Sequence, residues 1–201
     1  MTDSEHARLL ALARRRPLLS AHDVGRAGIH SQYLTRLLAD GEIERVARGQ
    51  YRVAERPVSE HYALAIAAKV VPSGVICLLS ALTVHAIGTQ LPADIWIAIE
   101  RGTRTPRVRA FPLRVVRFSG AAFAQGIEVH QLEGEPVRVY SAAKTIADLF
   151  KFRNKVGLDV AIEALRDAWH ERKFKMAELE RAARVCRVSQ VMRPYIEAVT
   201  A

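Results

Sequence analysis

The 201-residue sequence predicts an α+β protein: three short helices closed by a β-hairpin, followed by a mixed α/β domain with a small sheet and a helical end. Three observations carry this expectation. Apolar residues recur at helical spacing through the first forty positions, with capping signals at each break. The stretch "GEIERVARGQYRV" at 41–53 then turns strand-like around a bend at Arg48-Gly49. Beyond the polar, proline-bearing joint "AERPVSE", β-branched runs precede a series of amphipathic helices. That joint divides the chain into expected domains at 1–56 and 57–201.

In the first domain, "EHARLLALARRR" carries Ala7, Leu9, Leu10 and Ala13 on one side of a helix. Ser20 followed by Asp23 reads as a capping box, so a second helix starts at Ser20 and stops near Gly28, with Ile29 available to the core. Ser31 reads as the N-cap of a third helix, in which Leu34, Leu37 and Leu38 form the apolar stripe. Gly41 ends it where a left-handed residue is needed. In the hairpin, Tyr51 and Val53 share one face of the second strand, and Gln50 and Arg52 the other. Ile43 and Val46 are three apart, which predicts a bulge or an early turn in the first strand.

Helix, helix, helix and basic hairpin make a winged helix-turn-helix. With the leucines inward, Ser31, Gln32, Thr35 and Arg36 must face out and Tyr33 sits at the margin. These residue types hydrogen-bond base edges or phosphates from the first turns of a recognition helix. Arg48 and Arg52 would then grip phosphates or a narrow minor groove from the wing. The same module with solvated arginines could instead serve protein contacts. The formal net charge of +9 favours a polyanion such as double-stranded DNA. Residues 1–56 hold ten arginines against seven carboxylates, so binding rests on where the arginines sit rather than on bulk potential.

In the second domain, "SEHYALAIAAKVV" reads as a helix capped by Ser59, and "GVICLLSALTVHAIGT" as a strand-to-helix passage ending at Gly88. "DIWIAIE" and "LRVVRFS" read as strands, "GIEVHQLEGEPVRVYS" as a hairpin about Glu133-Gly134, and "SAAKTIADLFKFRN" as a helix capped by Ser141. Three further helices close the chain. The loop "ERGTRTPRVRAFPLR" crowds Arg101, Arg104, Arg107 and Arg109 into a second basic patch, either a mobile polyanion contact or a solvated charge run. Lys144 and Asp148, four apart, read as a surface ion pair worth under about 0.5 kcal/mol.

Catalysis, cofactor and metal find little support in the sequence. It has no glycine-rich phosphate loop, no G-x-S-x-G elbow, no H-E-x-x-H and no paired-cysteine spacing. His22 and His30 are a weak metal signal, and His85 reads as a core-edge histidine. The expectation is no catalytic residue, no cofactor and no metal. Cys77 and Cys186 read as buried reduced thiols. The N-terminus has no secretory pattern, and Lys69, Pro72 and Gly74 break the longest apolar run, so a cytoplasmic protein away from membranes is expected.

The wing "GEIERVARGQYRV", the segment "VPSGVICLLSALTVHAIGTQLPADIWIAI" and the segment "VRVYSAAKTIADLFKFRNKVGLDVAIEALRD" together resemble the AbiEi-like antitoxins of type IV toxin–antitoxin (abortive infection) systems. The resemblance runs to about Asp167, and matching is poorest from Lys173 on. It implies a repressor that binds inverted repeats in its own promoter. It also implies a C-terminal antitoxin domain that counteracts a nucleotidyltransferase-like toxin without a stable complex. Carried over by position, the DNA contacts fall on Ser31, Gln32, Tyr33, Thr35 and Arg36 of the third helix and Arg45, Arg48, Gln50 and Arg52 of the wing. Two other readings stand beside it: a ligand-sensing winged-helix regulator, and a C-terminal enzyme acting on the toxin or on nucleic acid through Lys144, Asp148 and the arginine loop.

Overall fold

The structure, a computed structural model, describes residues 2–16, 18–47, 49–54, 60–106, 108 and 111–200. By their contacts the residues form two compact units. One takes 1–72 with 106–112 and 131–137; the other takes 73–105, 113–130 and 138–201. The boundary expected at 56/57, and Ser59 as a cap, lie outside the described residues.

The first unit opens with α1 (Thr2–Arg14), β1 (Leu19–Ser20), α2 (Ala21–Arg26) and α3 (Gln32–Ala39). The hairpin β2 (Ile43–Ala47) and β3 (Gln50–Val53) follows, then α4 (Glu60–Val70). Ser20 and Asp23 close the expected capping box on α2: the Ser20 hydroxyl accepts from the Asp23 amide, and the Asp23 carboxylate accepts from the Ser20 amide at 2.9 Å. Gly41, at φ +71°, lets the chain leave α3 in a Schellman turn, with the Glu42 amide donating to the Leu37 carbonyl.

The hairpin is antiparallel and pairs Ile43 with Val53 and Arg45 with Tyr51, then slips between Arg45 and Ala47. That slip is the bulge that the Ile43–Val46 spacing predicts. It turns Val46 inward, where it is buried with Leu18, Tyr62 and Ile66. The two-residue strand β1, too short for a periodicity signal, adds to β3 and gives the order β1-β3-β2. Leu9, Val24, Tyr33, Leu34, Leu37, Ile43 and Val53 form the core.

The second unit is built on a five-stranded sheet ordered β6-β5-β4-β8-β7. Its strands are β4 (Val75–Ile76), β5 (Ile95–Glu100), β6 (Leu113–Phe118), β7 (Ile127–Leu132) and β8 (Glu135–Tyr140), and the tip of the last two counts with the first unit. β5 and β6 run parallel, β4 and β5 antiparallel, and β4 and β8 parallel. The helices are α5 (Leu78–His85), α6 (Ala121–Ala124), α7 (Ala142–Lys151), α8 (Arg153–Val156), α9 (Leu158–His170), α10 (Met176–Cys186) and α11 (Ser189–Thr200). α7 is the hub: every residue from Ala142 to Phe150 is buried, and Ser141 caps it through the Lys144 amide. Gly126 lets the start of β7 approach this helix, since a Cβ there would lie 2.8 Å from the Lys144 Cβ. The small α+β sheet with a helical end is thus as the sequence predicts. Its parallel pairings are not legible from alternation.

Candidate nucleic-acid interface

The burial pattern of α3 defines the site. Tyr33, Leu34 and Leu37 pack into the core, while Ser31, Gln32, Thr35, Arg36 and Ala39 are exposed. Each set recurs at helical spacing, so Ser31, Gln32, Thr35 and Arg36 form one continuous polar stripe rather than scattered positions. Four of the five third-helix residues read as contacts therefore reach solvent. Tyr33 does not: it is 6% exposed, and its ring completes the core. It lies one position from Leu34, on the packed side of the helix. Its ring instead holds the Arg36 guanidinium, 5.5 Å from its centroid, which orients that cation.

Ser31 is also not the side-chain cap that the sequence suggests. Its backbone is already helical, at φ −60° and ψ −20°, so its hydroxyl makes no capping bond. His30 takes the role, its Nδ1 accepting from the Gln32 amide at 3.3 Å. Ser31 is exposed, with no capping bond from its hydroxyl among the described residues.

The hairpin is more self-satisfied than expected. Arg45 is exposed. Arg52 pairs across the strands with Glu44 and is only 16% exposed. Cross-strand register explains this, since Glu44 sits directly opposite Arg52. Gln50 is half-buried, and its Oε1 is turned inward without a donor among the described residues. Arg48 lies outside the described residues. Behind α2, Arg16 bonds Asp23 at 2.9 Å. Burial pushes the Asp23 carboxyl up, but the Ser20 bonds and the Arg16 charge outweigh it and hold the group below its ordinary 3.8.

In the second unit, Arg101 and Arg104 are exposed, while Arg107 and Arg109 lie outside the described residues. The described start of this loop is tethered, not loose: Arg117 of β6 donates to the Thr103 carbonyl at 2.7 Å and to the Thr105 hydroxyl at 2.8 Å. Lys144 and Asp148 are not a surface pair. They are 2% and 0% exposed and 2.5 Å apart, with the Cys186 thiol 3.1 Å from the same carboxylate. α7 is packed on all sides, so an i, i+4 pair on it has no surface to occupy. The ammonium sits 4.1 Å from the Tyr140 ring centroid and 4.6 Å from that of Phe118. With so little exposure, the pair is held within the packing around α7 rather than on the surface. Cys77 and Cys186 are free and buried, as expected.

His85 is the expected core-edge histidine, half-buried, its Nε2 2.7 Å from the Tyr140 carbonyl oxygen. Burial lowers its pKa, with that carbonyl pulling the other way. Sequence reasoning missed that Glu128 and His130 come beside it. The three span more than forty positions, and only the alternation of Glu128 and His130 on one strand face hinted at a shared environment.

Among the described residues no helix is long and apolar enough to cross a membrane. Residues 7–54 match a family described as transcriptional regulator, AbiEi antitoxin. Among solved structures, the crystal structure of the RV2827C protein from Mycobacterium tuberculosis superposes with a TM-score of 0.68 at 15% identity, over 96% of this chain and 77% of that one. At that identity the likeness shows the fold. No curated protein matches the chain. The matched segment runs from within α1 to the end of β3, the three helices and hairpin that expose the polar stripe, so residues 7–54 are AbiEi-like, the module of an antitoxin-type transcriptional regulator.

Proposed function

We propose that this protein is a DNA-binding autorepressor and the antitoxin of a type IV toxin–antitoxin pair. It binds inverted repeats of its own promoter through α3 and the β2–β3 hairpin. The remainder of the chain counteracts a nucleotidyltransferase-like toxin in the cytoplasm, without a stable complex and without catalysis of its own. One observation carries the DNA-binding reading: the exposed stripe Ser31, Gln32, Thr35 and Arg36 on a helix whose other side is core. Hydroxyls, an amide and a guanidinium in the first turns are the groups that read base edges when a helix enters the major groove. Arg45 and Arg52, each released from its contacts within the protein, supply phosphate contacts beside it.

Gel shifts on the upstream promoter test this. Arg36→Ala is expected to cost about 1–3 kcal/mol of binding and to relax preference at one base position if it reads a base, or to flatten the salt dependence if it touches phosphate. Promoter binding indifferent to Arg36 removes the reading. For the antitoxin half, co-expression with the toxin encoded alongside is expected to restore growth, and continued toxicity counts against it.

A cavity of about 470 Å³ lined by Ser141, Lys173 and Arg181 together with Glu128 and Glu178 favours a second reading, a regulator that senses a small polar ligand. Under that reading such a ligand changes promoter affinity and co-expression does not rescue.

A further inference from the structure

We propose that His85, Glu128 and His130 form a binding site for a divalent transition-metal ion of the zinc type. His85 is the last residue of α5; Glu128 and His130 stand two apart on β7 and so share one face. One ligand atom from each lies within 4.8 Å of the others.

One nitrogen of the His85 ring is already fixed by the backbone. Its Nε2 meets the Tyr140 carbonyl at 2.7 Å, and a carbonyl only accepts, so Nε2 carries the proton. In the neutral ring Nδ1 then keeps its lone pair for a ligand. A histidine fixed through its second nitrogen by a backbone carbonyl is the outer-shell arrangement that metal-ligating histidines use. The His85 and His130 rings lie 5.3 Å apart between centroids, at 82° to each other. Two imidazoles on one tetrahedral ion, each nitrogen about 2.1 Å away, put their centroids roughly 5 Å apart. The ring spacing is thus that of a coordinated pair, while the donor atoms stand farther apart.

Ligand atoms in a tetrahedral shell lie about 3.4 Å from one another, so closing the site asks for inward movement on the order of 1 Å. Exposed Glu128 and half-buried His130 can supply it. In the free protein His130 Nε2 and Glu128 Oε2 are 3.2 Å apart, a contact the ion would replace. Two imidazoles and one carboxylate suit zinc or cobalt, whereas magnesium and calcium prefer oxygen throughout. The cation nearest in effect, Lys173, is held by Glu171 at 3.1 Å. Three protein donors leave a fourth position for water or a ligand, and Glu128 also lines the cavity beside Ser141. A bound ion would tie the end of α5 to β7.

The test uses the full-length protein stripped with a chelator. Zinc is titrated calorimetrically, and cobalt is followed by its visible absorption. One equivalent is expected, with a dissociation constant in the micromolar range or tighter and a four-coordinate cobalt spectrum. Glu128→Gln and His130→Gln are each expected to weaken binding about tenfold or more. His6→Gln, in the separate group His6, Asp40 and Glu42, should leave it unchanged. Melting curves guard against misfolding: without metal the strand variants should melt like the parent, and zinc should raise the midpoint only in the parent. Absence of saturable binding overturns the proposal. So does binding that survives in Glu128→Gln/His130→Gln, or that is lost only in His6→Gln.

Discussion

Replacing Lys144 with methionine removes half of an ion pair that has almost no contact with water. The two side chains are 2% and 0% exposed and 2.5 Å apart, and the carboxylate is otherwise bonded by the Cys186 thiol. Deleting one partner of such a pair costs about 3–5 kcal/mol, because the surviving charge stays desolvated. At roughly 2–4 °C per kcal/mol for a chain this size, Lys144→Met should melt about 10 °C lower near neutral pH. The deficit should depend on pH. Burial pushes the Asp148 carboxyl up, and the Lys144 charge and hydrogen bond with the Cys186 thiol only partly pull it back. Without Lys144 the push is less opposed. A carboxyl with a raised folded pKa keeps its full stability below its unfolded pKa and loses it as pH rises through the folded one. The variant should therefore regain stability toward the parent as pH falls to about 4, the unfolded carboxyl range. Lys144→Met/Asp148→Leu removes both charges and should recover most of the loss. Urea unfolding followed by circular dichroism at several pH values measures all three. A loss for Lys144→Met under about 1 kcal/mol, a deficit that ignores pH, or a double variant worse than the two single changes would refute this account of the pair.

Four further outcomes follow from the first unit. Tyr33→Ala should lose about 3–5 kcal/mol of stability in denaturant, while Tyr33→Phe keeps promoter affinity, because the ring is core rather than a base contact. Ser20→Ala should cost about 1 kcal/mol through the α2 cap. Asp23, with a depressed pKa, contributes stability above its ordinary 3.8 that is lost as pH falls through the folded value, so acid melts of Asp23→Asn and the parent should converge. Glu44→Ala should change stability by less than about 1 kcal/mol yet steepen the salt dependence of DNA binding by about one phosphate contact, as Arg52 is released.

The N-terminal module was largely legible because its signals are local. Ser20 and Asp23 sit in one turn, Gly41 stands where its own helix ends, and the three-residue step from Ile43 to Val46 forecasts a bulge that alternation alone would forbid. What failed there turned on single positions, Tyr33 in the core and Arg52 tied to Glu44 among them. His30 rather than Ser31 serves the start of α3, since the helical conformation of Ser31 disarms its hydroxyl. In the second unit the decisive facts are long-range. The spacing of Lys144 and Asp148 is the same on a wet helix as on a dry one. Only the packing around α7 makes it dry, and the hint lay in the nearly unbroken apolar and small residues beside it. The parallel pairing of β4 with β8 depends on strand order, which periodicity does not encode. The approach of His85 to Glu128 and His130 likewise comes from tertiary folding.

Promoter recognition as proposed requires the exposed stripe of α3 to meet the duplex. A photo-crosslinking side chain placed singly at Gln32, Thr35 or Glu178 of the full chain, irradiated with the upstream promoter duplex, addresses it directly. Gln32 and Thr35 should crosslink to the promoter and lose that yield to unlabelled promoter but not to scrambled duplex, with Glu178 on α10 silent. Crosslinks from Glu178 with none from Gln32 or Thr35 would contradict the account.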